Sequence, residues 1–186
     1  MQREINEEIA GYFLNDSRLF LERYNLLKSK QTEIGNRSKL MIDLVFSMEC
    51  SLKAILFFEA IDHEKKTYKK VRTHDLTKLL ALIKDKSRIQ KATTIIADNI
   101  DHFYVGSRYT LEANIRFRGE AFDLDKSYYD TIANPAWLDS VYKGADSLCE
   151  YASSLRGNTF KIFKFEDIDV VALKNKNDRI RALSQV

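Results

Sequence analysis

From Lys39 to Ile61 the chain runs 23 residues, "KLMIDLVFSMECSLKAILFFEAI", without a glycine or a proline. So long an apolar run outlasts any ordinary strand and predicts a helix buried on most sides, the central rod of a helical bundle. The remainder offers few interruptions. One proline and six glycines in 186 residues, with 45% hydrophobic and 31% charged residues, fit a helix-rich fold better than a sandwich or a disordered chain. That length suits one domain with one core.

Residues 1–30 repeat apolar side chains at helical steps (Ile5, Ile9, Tyr12, Phe13, then Leu19, Phe20, Tyr24, Leu27), with "NDS" at 15–17 as a cap or kink. "TEIGNRS" (32–38) separates this helix from the central one. "HEKKTYKKVR" (63–72) reads as a solvated basic connection, followed by a short helix capped by Thr73 or Asp75. A further helix is expected over about Ser87 to Phe103, then a polar break at "VGSR" and a new helix start at "RYTLEANIRF". In "ANPAWLDSVYKGADSLCEYASSLRG", Asn134 is suited to the cap, Pro135 to the first helical position and Gly157 to the end. "TFKIFKFEDIDVVAL" (159–173) alternates apolar and charged residues, as a short strand or an extended arm would. The expected fold is all-α: an antiparallel bundle of five or six helices in a single domain spanning 1–186. Its core takes in about 1–118, with a helical elaboration and arm over 119–186.

Charge is unevenly placed. Ten Lys or Arg face three Asp or Glu between His63 and Lys91, whereas Gly119 to Ser153 holds two against seven, although the net charge is only +3. Lys65, Lys66, Lys69 and Lys70 form a candidate basic surface for RNA or nucleotide phosphates. A solvated lysine-rich loop is the competing reading. Tyr68, Tyr104 and Tyr109 are candidates for stacking on bases. Cys50 and Cys149 make no metal-type spacing with each other or with His63, His74 and His102, so neither a metal site nor a cofactor is assigned, and a reducing, cytoplasmic setting is expected. No uncharged run of about 18 residues is present to cross a membrane, and no basic leader opens the chain. Phosphate-cradling glycine loops and nucleophile elbows are likewise missing.

One feature of the central run is anomalous. Glu49 and Lys53 lie side by side on a helical wheel, flanked by Ile42, Val45, Phe46, Leu56 and Ala60, while Asp43, Ser47 and Ser51 fall on another side. They are either a surface pair with Lys53 snorkelling outward, or a buried pair met by further polar groups: Arg72, His74, Arg108 or a bound anion.

Three stretches, "LMIDLVFSMECSLKAILF" (40–57) with its embedded Glu49 and Lys53, "THDLTKLL" (73–80) and "SRYTLEANIRF" (107–117), together resemble the HEPN domains, helical modules named for nucleotide binding in higher eukaryotes and prokaryotes. The resemblance covers roughly 38–118. It implies a helical bundle, a homodimer, and either nucleotide or RNA binding or docking with a partner such as a small nucleotidyltransferase, in a toxin–antitoxin or phage-defence setting. Many HEPN proteins are metal-independent ribonucleases whose motif is an Arg followed four to six residues later by His. No Arg here has a His at that distance: Arg72 precedes His74 by two residues, and the nearest trace is Arg108 with Asn114, whose amide cannot take up a proton as imidazole does. The candidate polar pocket is therefore Glu49, Lys53, Arg72, His74, Arg108 and Asn114, with no catalytic residue assigned. The expected member is a non-catalytic binding module; a divergent ribonuclease using His74 or His102, and a purely structural or interaction protein, are the alternatives.

Overall fold

The computed structural model describes residues 2–29, 33–120, 123–156 and 169–186. Among these, the fold is all-α. Five helices have ten or more residues: α1 (Gln2–Leu27), α2 (Ile34–Phe58), α5 (Gln90–Asn99), α8 (Pro135–Leu155) and α9 (Val170–Arg181). Four shorter ones, α3 (Glu64–Val71), α4 (Leu76–Leu82), α6 (Thr110–Phe117) and α7 (Lys126–Asp130), connect and cover them.

Helix α2 is the rod that the apolar run requires, with 17 of its 25 residues buried. Its neighbour α1 runs antiparallel to it: Asn6 bonds Asp62 just past the end of α2, Ser17 bonds Ser47 and Ser51, and Arg23 bonds Asp43, so partners descend as α1 ascends. Helix α8 is antiparallel to α1, with Arg18 on Ser153 and Asn25 on Tyr142, and hence parallel to α2. Leu44, Met48, Leu52 and Ile55 of α2 are sealed between Ile5 and Leu14 of α1 and Val141 and Leu148 of α8, all at 0% exposure. Each such side chain contributes about 1.5–3 kcal/mol.

Several expected boundaries shift for identifiable reasons. The "NDS" segment neither caps nor kinks α1, because Ser17 turns inward to share its hydroxyl with Ser47 (2.9 Å) and Ser51 (2.7 Å) while Asn15 and Asp16 face solvent. Those two serines and Asp43 are therefore buried, and that side of α2 is not wet either. Helix α2 also starts earlier than the polar "TEIGNRS" suggests. At Gly35 a Cβ would come within 2.9 Å of the Thr110 side chain, and this close approach brings the start of α6 against the first turns of α2.

The basic stretch 63–72 is not a solvated connection but the helix α3. Glu64, Thr67 and Val71, three and four residues apart, face inward, and the lysines that mask this period point outward. "VGSR" is likewise a 3-10 turn rather than a break. The caps at Asp75 and Asn134 form as expected: Asp75 accepts from the Thr77 and Lys78 amides at 3.0 and 3.1 Å, and Asn134 accepts from Ala136 and Trp137 at 3.0 and 3.2 Å.

The proposed arm falls on residues 159–173. Its first ten residues, like the expected helix stop at Gly157, lie outside the described residues. Val170–Leu173 instead form the first turn of α9, which Asp169 caps by accepting from the Ala172 amide at 3.0 Å. The one β-type pairing among the described residues is an isolated bridge between Arg118 and Leu124. No described helix is long and apolar enough to cross a membrane.

Candidate functional site

The Glu49 and Lys53 anomaly resolves in favour of burial, with the two residues 5% and 8% exposed. Lys53 Nζ donates to Glu49 Oε1 at 2.7 Å, and its ammonium lies 5.7 Å from the centre of the Phe13 ring. His74, delivered by the turn that starts α4, places Nδ1 3.1 and 3.0 Å from the two Glu49 oxygens. Because an ionised carboxylate only accepts, Nδ1 carries the proton in this contact and Nε2 is left toward solvent, where 76% of the side chain is exposed. A carboxylate taken out of water is thus paired and hydrogen-bonded on both oxygens, the condition under which burial is tolerated.

The remaining residues of the expected pocket are elsewhere. Arg72 is exposed at the end of α3 and makes no ion pair among the described residues. Arg108 stacks on Tyr109, 4.7 Å from the ring centre, over the N-terminal half of α2. No hydrogen bond or ion pair among the described residues joins it to Glu49. Asn114 spends its amide within α6, donating to the Thr110 carbonyl at 2.7 Å and accepting from Arg118 at 2.8 Å. It lines a separate cleft with Arg118 and Tyr128. Arg108 and Asn114 therefore do not form a working pair, and the six residues divide among distinct places.

On α3, Lys66 and Lys70 both clamp Asp62, at 2.9 and 2.7 Å, and hold its carboxyl down to about 2. Lys65 and Lys69 remain uncommitted. They stand at i and i+4 on one exposed side of the helix, with the exposed Arg72 just past its end.

Another set of residues, which shares only Arg108 with the expected pocket, lines a concave surface that is both polar and apolar. A groove of about 500 Å³ opens between α1, the first half of α2 and the start of α6. Leu27, Leu40, Ile42 and Phe46 line its apolar part. Its charged groups are Arg23, Lys39, Arg108 and the carboxylate of Asp43, with the Asn36 amide and the half-exposed Tyr109 ring beside them. Asp43 is 3% exposed and accepts twice from Arg23, from Nε at 2.8 Å and again from Nη2. Those bonds push the Arg23 guanidinium above the usual arginine range, and its plane rests 5.1 Å from the Phe20 ring centre. Arg23 is thus a fixed cation, whereas Lys39 and Arg108 are exposed and free of carboxylate partners among the described residues.

Sequence reasoning reached Arg108 and Tyr109 but missed Arg23, Lys39, Asn36 and Asp43. One signal was available. Asp43 is a second carboxylate inside the apolar run, and a buried acid demands a cation just as Glu49 does.

No family model, curated protein or solved structure matches this chain.

Proposed function

We propose that the protein is a HEPN-like module that binds a nucleotide or RNA through the groove between α1, α2 and α6. One observation carries this reading: among the described residues, three cations, one carboxylate and an exposed tyrosine ring line a single concavity with apolar walls. That combination suits a ligand with an anionic group and a planar ring. The exposed Lys65, Lys69 and Arg72 would add sequence-independent attraction for a longer polyanion. The internal use of Asn114 gives no support to proton transfer at Arg108, so the reading is of binding rather than cleavage.

The test is fluorescence anisotropy with a labelled single-stranded RNA, titrated across salt. If the three groove cations each neutralise a phosphate charge, log Kd rises with log salt at a slope of about 2. Arg108→Glu and Lys39→Glu weaken binding and flatten that slope. Failure to bind any nucleotide or RNA at low salt overturns the proposal.

A further inference from the structure

The groove carries information about which phosphate it prefers. Among the described residues, Arg23, Lys39 and Arg108 bring three positive charges against the single negative charge of Asp43, which leaves two uncompensated positive charges at the site. They converge on one cavity. An internal phosphodiester bears one negative charge, whereas a phosphate ester with a free end bears about −1.5 to −2 at pH 7. The latter matches the groove.

Arg23 strengthens the match. Of its five N–H donors, Asp43 takes two, leaving three for a ligand from a guanidinium already held in place by a buried carboxylate and the Phe20 ring. Such a donor loses little freedom on binding. Tyr109 is 53% exposed at the same groove, with the Arg108 guanidinium over one face of its ring and the opposite face to offer a base. The volume of about 500 Å³ suits one nucleotide.

We infer that the groove holds a single nucleotide by a terminal phosphomonoester, with Arg23, Lys39 and Arg108 on the phosphate and Tyr109 on the base. The ligand is either a free nucleoside monophosphate or the phosphorylated end of an RNA. This rests on the nucleotide-or-RNA reading above and narrows it.

Isothermal titration of the full chain with AMP, adenosine, cyclic AMP, inorganic phosphate, and 5′-phosphorylated and 5′-hydroxyl hexa-adenylate tests it. AMP is expected to bind about tenfold or more tighter than cyclic AMP, which keeps the ring but carries a diester, and adenosine is expected to bind more weakly still. AMP binding weakens as pH falls through about 6, where the phosphate takes up its second proton. The Arg108→Gln/Lys39→Gln variant, which removes two exposed side chains without carboxylate partners and so spares the fold, loses AMP binding. Tyr109→Ala weakens AMP but not inorganic phosphate. A preference for the 5′-phosphorylated oligomer supports an RNA end as the source, and indifference between the oligomers with AMP still bound supports the free nucleotide.

Cyclic AMP binding as tightly as AMP, or AMP binding unchanged in Arg108→Gln/Lys39→Gln, overturns the inference. Oligomer binding without AMP binding, unaffected by the groove substitutions, overturns it while leaving RNA binding intact. Binding of none of the probes removes both readings.

Discussion

Replacing Lys53 by methionine keeps most of the side-chain volume but strands the Glu49 carboxylate in the core. Exposed Glu-Lys pairs four residues apart on a helix stabilise by only about 0.2–0.5 kcal/mol. Here the two side chains are 6% and 10% exposed, and removing one partner of a buried pair costs about 3–5 kcal/mol. His74 still donates to Glu49, which places Lys53→Met near the lower end, about 3 kcal/mol. With an m-value of about 2 kcal/mol/M, that moves the urea midpoint down by roughly 1.5 M. The double variant Glu49→Leu/Lys53→Met leaves no stranded charge, and its stability lies within about 1 kcal/mol of the wild type or above it. Urea unfolding of both singles and the double closes the cycle. Singles that each cost under about 0.5 kcal/mol and simply add would refute the burial reasoning.

Three other outcomes follow from the geometry. Glu64 is fully buried, which pushes its carboxyl up, yet the bonds and charge of Arg179, a backbone hydrogen bond and the nearby His63 together outweigh burial and leave it below the usual range. Its contribution is therefore present above the unfolded carboxylate pKa and is lost as pH falls through the lower folded value; Arg179→Met leaves only the backbone bond and His63 to oppose burial, so its folded value rises and melting temperatures of the two proteins measured from pH 3 to 6 should diverge as pH rises. Asp62, held down to about 2 by Lys70 and Lys66, contributes above its unfolded pKa near 4 and loses that contribution between about 4 and 2. Carboxylate NMR titration checks this, and an ordinary midpoint near 4 would contradict the clamp. Burial, with the nearby Glu49 and Asp16 charges, pushes the Cys50 thiol up to about 12, so alkylation by iodoacetamide at pH 8 should be far slower than in the urea-unfolded chain. Equal rates would show that the thiol is not shielded.

Local chemistry and apolar period determined much of this protein by themselves. The helical class, α2 as the buried rod, the caps at Asp75 and Asn134, and the presence of Glu49 and Lys53 in an apolar stripe could all be read because each depends on residues within a few positions of one another. Where a polar residue faces inward, that reading fails. Ser17 read as part of a cap or kink, and Glu64 was lost among lysines, because their partners Ser47, Ser51 and Arg179 are 30 to 115 residues away.

Tertiary structure alone decided which charges meet. His74 reached Glu49, but Arg108 went to the other half of α2, because the close approach at Gly35 and Thr110 seats α6 there. Arg23, Lys39 and Arg108, scattered over 86 positions of the chain, became neighbours through the antiparallel packing of α1 on α2 and the return of the α6 start onto the same face. A helical period encodes which side of each rod is buried, but not which rod it will meet or at what height, and the groove exists only where three rods meet.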